Sequence, residues 1–528
     1  MAQTTTATLK ANAAAITRTV SRELRIAWGR DADNWPTDWT TQSTDETLRM
    51  LDVSWDRRLD LSTSLGQGNG PVAQMRVTLD NYDQRFSPFN EAGALYASLA
   101  ASTTTPGGTT VTYPKLYQTP VRLRMGFYDS SAGHEYVTVF TGLIDEVGES
   151  YGLGGERVQV TCLDRGGALL GKKASSTITE NVSIDAWLRR LVSDYGGIAT
   201  GATVDRAFFR VPYIWLDDEG LWAEVQQAAA SDGGYAYFDE TGAFYYRNAA
   251  WWATATDSTT TTNTATISTR YQDFTPAYSW RDVRTGVIVE YQPRAPGGEQ
   301  VVWRSDETIV VPPAGKTIEA KFSYPVSVLL DPAKPGDWLP VSSGGADMSG
   351  KIQLDVQERY AQRAKLVFVN TANQTVFIPK MQLRGLCLIG GPQEQIDIDA
   401  STPLVPENKP TLSGNPYIQT KGQAQIVATT QAYRMSYPRL IHRFSGVPAL
   451  PWLQLGDRIA IDIQAHSGTN TMTADRYGII TGLSFSWQPD GPFVMSIEAA
   501  DVAGLYEYSD YHVLGAVANT YGTNRVFV

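Results

Sequence analysis

Val139–Asp164 reads VFTGLIDEVGESYGLGGERVQVTCLD, and some 340 residues later Tyr477–Asp501 reads YGIITGLSFSWQPDGPFVMSIEAAD. Each stretch runs an apolar strand into Thr-Gly-Leu, at Thr141-Gly142-Leu143 and at Thr481-Gly482-Leu483. Each then alternates apolar and polar residues, turns at glycine, and alternates again up to an acid, Asp164 or Asp501. Alternation of this kind marks half-buried β-strands. A further apolar strand precedes each copy, PVRLRMGF at Pro120–Phe127 and LQLGDRIAIDI at Leu453–Ile463. Two related β-modules flanking unrelated sequence predict two duplicated small barrels that superpose triplet upon triplet.

The whole chain is β-rich. Strings such as ELRIAW, AQMRVTLD, TGVIVEY, AKLVFVN and AQIVATT repeat the period of two, punctuated by turn dipeptides such as Asn69-Gly70 and Asp490-Gly491. Two stretches read as helices. SIDAWLRRLVSDYGG has Ser183 as a candidate cap, an apolar stripe of Ile184, Trp187, Leu188, Leu191 and Val192, and Gly196 as its stop. DDEGLWAEVQQAAASDGG opens on acids that favour a helix N-terminus and runs into the hairpin YAYFDETGAFYYRN.

With 528 residues, the chain is too long for a single core. The expected layout is an N-terminal extension with the first barrel (1–172), an α+β domain of two helices and a hairpin (173–295), a β-sandwich-like segment (296–410), a second barrel (411–510) and a C-terminal tail (511–528). The Thr-rich tract ATATDSTTTTNTATIST reads as a surface loop. The fold class is therefore mainly β with a small α+β domain.

A net charge of −11 lacks the basic footprint of a protein that wraps nucleic acid. Cys162 and Cys387 both sit in apolar alternation and read as buried thiols. No run reaches the length of a membrane helix, and the N-terminus has no secretory pattern. His134, His442, His466 and His512 lie in unrelated contexts, without zinc or triad spacing. Asp80-Asn81-Tyr82-Asp83 reads as a turn, Asp217-Asp218-Glu219 as helix N-terminal charge, and Gly66–Gly70 has no following Lys-Ser/Thr for a phosphate loop. The expectation is a protein without catalysis, metal or cofactor. The competing expectation is a virion or secreted carbohydrate-binding protein, even a glycosidase, motivated by 14 Trp and 26 Tyr.

MRVTLDNYDQRFSPFNEAGALYASL, Met75–Leu99, holds a strand stopped by Asp80-Asn81, followed by Arg85-Phe86-Ser87-Pro88. This resembles the N-terminal barrel of tail hub proteins of tailed bacteriophages, in which a strand, "LDN", a variable pair, "RFSP" and a downstream "Y..L" recur. PVRLRMGF, VFTGLIDEV and VQVTCLDRGGALL are similar to the rest of that barrel; LQLGDRIAIDI, ITGLSFSW and MSIEAAD are similar to the family's second tube-type barrel. The resemblance spans about Leu24 to Tyr508. It implies a structural virion protein of the tail tip, assembled in the host cytoplasm. It further implies a homotrimer whose six barrels join a hexameric tail tube or distal tail ring to threefold tip or fibre proteins, with DNA crossing the lumen unbound.

Overall fold

The computed structural model describes residues 3, 5–15, 18–59, 72–87, 89–104, 110–114, 118–151, 156–201, 203–248, 265–268, 270–277, 283–400, 407–435, 440–467 and 470–501. The fold is mainly β. Its largest element is one sheet of thirteen strands. In chain order these are β1 Val20–Ile26, β2 Thr44–Asp45, β3 Met50–Arg58, β4 Gln74–Asp80, β5 Pro120–Asp129, β6 Gly133–Ser150 and β7 Arg157–Asp164, then β8 Ala265–Ile267, β9 Asp273–Ala277, β10 Ile441–Pro448, β11 Arg458–Ser467, β12 Asn470–Trp487 and β13 Val494–Asp501. Their spatial order is β9-β10-β13-β12-β3-β4-β7-β6-β5-β1-β2, with β11 beside β12 and β8 beside β11. Alternation sorts the faces. Val53, Trp55, Met75, Val77, Val160 and Cys162 enter one core together with Phe444, Leu483, Phe485 and Ile497.

Strand pairing repeats within this sheet. β5, β6 and β7 have 10, 18 and 8 residues, and β11, β12 and β13 have the same three lengths. Gly142 pairs with Asp164, and the ladder β6·β7 skips one residue between Ile144 and Glu146. Gly478 pairs with Asp501, and β12·β13 skips one residue between Ile480 and Gly482. The flanking bonds repeat too: Ile144 N–H donates to Thr119 C=O and Ile480 N–H to Asp457 C=O, both at 2.9 Å. On the other side, β3 pairs β4 and β4 pairs β7, as β9 pairs β10 and β10 pairs β13.

That register corrects the triplet alignment. Thr141-Gly142-Leu143 and Thr481-Gly482-Leu483 lie on corresponding strands but four residues apart; Gly142 corresponds to Gly478, and the bulged Asp145 to Thr481. Crowding explains which glycine recurs. A Cβ on Gly142 would lie 2.0 Å from the Leu163 carbonyl oxygen and one on Gly478 2.9 Å from Ala499 Cβ, whereas at Gly482 the nearest atom is 3.3 Å away.

Other elements depart from the expected layout. β8 and β9, placed by sequence in the α+β segment, pair with β11 and β10 of the C-terminal half. Asp217–Gly220 is a strand paired with Lys173–Ser175, so its acids precede the helix Leu221–Ser231 and do not form its first turn. AQIVATT lies in a helix, Lys421–Met435, whose Ala424, Val427, Ala428 and Ala432 pack on the strands Gly286–Tyr291 and Glu394–Asp399. Spacing of three and four among small side chains is the helical signal there. The stretch between 294 and 390 forms three small sheets around Val302, Val311, Leu366, Phe368 and Leu383. The Thr-rich tract lies largely outside the described residues.

Candidate assembly surfaces

The two halves of the large sheet meet at one seam, β3 against β12. Val53 pairs with Trp487, Ser54 with Ser486, Trp55 with Phe485, and Arg57 with Leu483. Trp55 and Phe485 stack with ring centroids 4.7 Å apart. The seam is thus a continuous ladder with an apolar core face, and it fixes the two repeats side by side.

Arg57 lies on this seam, almost fully buried, and donates to the Glu240 carboxylate and the Phe238 carbonyl. Gln454, from the C-terminal half, donates to the other Glu240 oxygen at 2.6 Å. The hairpin Tyr235–Phe238/Phe244–Arg247 therefore reaches both halves through Glu240. Burial raises the Glu240 carboxyl, and Arg57 partly offsets this. Asp164 is buried beside them and accepts the Ala73 and Gly166 N–H groups, each at 2.8 Å. Burial pushes its carboxyl up to about 6, against those donors and Arg57. Asp164 thus closes β7 onto the turn below, a backbone-capping role. Asp501, its counterpart in the strand register, pairs through its backbone with Gly478.

Asn81, not Asp80, organises the turn after β4. Asn81 is buried; its N–H donates to Glu156 C=O at 3.0 Å and its side-chain oxygen accepts the Phe86 N–H at 2.9 Å. Asp80 accepts the Tyr82 N–H at 3.3 Å. Arg85 binds Glu46 at 2.9 Å, and Arg49 grips Asp83 through two 2.7 Å bonds. Phe86 is 1% exposed beside Trp28, and Ser87 is buried. Pro88 lies outside the described residues. This braced turn holds Tyr82 and Phe89 at its surface, 83% and 85% exposed. The exposed aromatics escaped the sequence reading, because alternation stops at Asp80.

The face of the large sheet opposite its core is polar. It carries the carboxylates Asp52, Asp56, Asp80, Glu146, Asp273 and Glu498. Against these stand Arg58, Arg76, Arg157 and Arg443, the last bound to Glu498 at 3.0 Å, and on β1 and β5 the same face carries Glu23 with Arg25, Arg122 and Arg124. Serine, threonine and glutamine occupy much of the rest.

No cluster of three or more metal-ligating side chains occurs among the described residues. The described tryptophans are all buried or half-buried, so they offer no open aromatic platform. A cleft of about 190 Å³ lies between Trp215, Glu219, Glu224, Arg294 and Tyr417. Its polar groups are engaged: Tyr417 donates to Glu224, Trp187 donates to Tyr417 at 3.2 Å, and the Arg294 guanidinium covers the Trp215 ring at 4.2 Å. Cys162 and Cys387 are buried in separate cores. No described helix is long and apolar enough to cross a membrane.

No protein-family model matches the chain, and no curated protein matches it in sequence. Among solved structures, the chain is similar to a tail protein from Neisseria meningitidis MC58, at 9% identity and a TM-score of 0.46, covering 92% of this chain and 98% of that one. It is similar to a 43 kDa tail protein of prophage MuSo2 from Shewanella oneidensis, at 9% identity and a TM-score of 0.43, covering 91% and 98%. It is also similar to a prophage tail protein from Listeria monocytogenes EGD-e, at 6% identity and a TM-score of 0.37, covering 90% and 94%. Likeness this distant assigns neither partners nor activity.

Proposed function

We propose that this chain is a structural tail-hub protein of a phage-like particle, working as a homotrimer without catalysis. Each copy contributes two barrel-like modules built on the repeated strand sets, so three copies present six. A ring of this kind reconciles a hexameric tail tube or distal tail ring with a threefold tip that carries tip or fibre proteins. The observation that carries the reading is the repeated strand pairing joined by the β3·β12 seam, which sets two equivalent modules edge to edge in one chain. The LDN…RFSP string adds to it.

The polar face of the large sheet is assigned to the lumen. From β9 across to β6 its carboxylates outnumber its arginines, which suits a channel that DNA crosses without being held, since phosphate contacts with cations are adhesive. The particle is assigned to the virion tail tip, assembled in the host cytoplasm. The segment from 294 to 390 is assigned to the outside of the ring, because it builds its own core away from the sheet.

Native mass spectrometry of the full chain, with particle averaging of tail fractions at threefold and sixfold symmetry, tests this. The expected result is a trimer whose ring shows six similar density lobes. Monomers in solution together with no such ring in tails would overturn it.

A further inference from the structure

The β3·β12 seam has one open counterpart in the chain. Through the repeat, the second half of β12, Gly482–Trp487, corresponds to Glu146–Ser150 of β6 and the residue after it, Tyr151. β3 covers the first of these; among the described residues, no strand pairs with the second on that side. Burial records the difference. Gly482, Leu483, Phe485 and Trp487 are buried, whereas of their counterparts Glu146 is exposed, Val147 and Glu149 are half-buried and Tyr151 is 58% exposed. β9, the counterpart of β3, is likewise paired on one side only, by β10.

We infer that β9 of one copy pairs antiparallel with the Glu146–Tyr151 edge of a second copy, in the register that β3 and β12 already display. The inference rests on the ring reading above and supplies its chain-to-chain contact. Transferring the internal register puts Phe274 opposite Tyr151, Thr275 opposite Ser150 and Pro276 opposite Glu149. Phe274 and Tyr151 then take the places of Val53 and Trp487, while Glu149 takes that of Phe485, so the face they close is part apolar and part charged. Each copy offers one β9 edge and one β6 edge, so the contact is head-to-tail and closes only as a ring.

The two seams also differ in hydrogen bonding. Leu59 N–H donates to Thr481 C=O at 2.7 Å, so by alternation the Trp55 N–H also faces β12. Pro276 stands in the Trp55 position and has no N–H. The seam between copies is one donor poorer than the seam within a copy, as suits subunits that fold before they join.

By the same alternation, Thr275 and Ser150 form a non-hydrogen-bonded pair, the close-approach geometry that admits a disulfide. The test is the full-length S150C/T275C variant under mild oxidation, beside E146C/T275C, in which the thiols are offset by four residues, about 13 Å along the strand. Non-reducing gels report the covalent species and native mass spectrometry the assembly. Most of S150C/T275C is expected to shift into covalent dimers and trimers, with E146C/T275C staying at the level of single cysteines. A trimer by mass with no cross-link, or with equal cross-linking of both variants, overturns the seam and leaves the ring standing. Monomers alone at every concentration overturn the ring and the seam together.

Discussion

Asn81 accepts the Phe86 N–H at 2.9 Å through its side chain, and the Phe86 ring is almost fully buried beside Trp28. Polar capping and apolar anchoring thus act on one turn. Phe86→Ala is expected to cost about 3 to 5 kcal/mol, the range for a buried phenylalanine. Asn81→Ala should cost about 1 to 3 kcal/mol, because the buried Phe86 N–H loses its acceptor. Tyr82→Ala and Phe89→Ala, being exposed, should stay within about 0.5 kcal/mol of the parent. Urea unfolding of the four variants checks this ordering; a neutral Phe86→Ala would show that the ring does not hold the turn.

The buried pair Arg57–Glu240 ties the hairpin to the seam between the two halves. Arg57→Ala leaves the Glu240 carboxylate enclosed with only Gln454 as a donor, and should destabilise by about 3 to 5 kcal/mol. Arg57→Met combined with Glu240→Leu removes both charges and should recover most of that loss. Thermal unfolding of the single and double variants decides the matter. If the double variant is as damaged as Arg57→Ala, shape and not charge compensation holds the junction.

Most strands of the large sheet were legible because one face is buried, and burial imposes a period of two on β3, β4, β6, β7 and β13. Register was not legible. A bulge is placed by the partner strand, so matching the letters Thr-Gly-Leu displaced the repeat by four residues. β9, DFTPA, carries a proline and only five residues, and its strand character comes from β10 alone. The helix Lys421–Met435 hides because its buried stripe is mostly alanine, which contrasts weakly with its neighbours. At the turn, the Asp80–Pro88 letters flagged the place, but which side chain caps it depends on Glu156, 75 positions beyond Asn81.

Stability is expected to fall as pH rises through the weakly acidic range. Burial raises Asp164 to about 6 and Asp232 to about 7, although Tyr246 and the Phe208 N–H donate to Asp232. An unfolded aspartate titrates near about 4. Folding therefore favours the protonated forms, and their contribution is complete below about pH 4 and lost as pH climbs through about 6 and 7. Each group lowers the unfolding free energy by roughly 1.4 kcal/mol per pH unit within its window. Asp232→Asn should flatten the slope between about pH 5 and 7 relative to the parent. Urea titrations across that range measure it; a parent whose stability rises over the window would contradict the burial argument.

The last expectation concerns charge on the polar face assigned to the lumen. From β9 across to β6, Asp52, Asp56, Asp80, Glu146, Asp273 and Glu498 outnumber Arg58, Arg76, Arg157 and Arg443, while Arg25, Arg122 and Arg124 gather around Glu23 on β1 and β5. Arg443 is further engaged by Glu498. The wild-type protein should therefore pass through a double-stranded DNA-cellulose column without retention at physiological salt. Asp52→Lys with Asp56→Lys reverses the balance on β3, where both side chains project from the polar face and carry no core contact. That variant should be retained at low salt and elute as salt rises, because counterion release drives phosphate binding. Salt-dependent retention by the wild-type chain itself would mean that this face holds nucleic acid, and the assignment of a non-adhesive channel would fail.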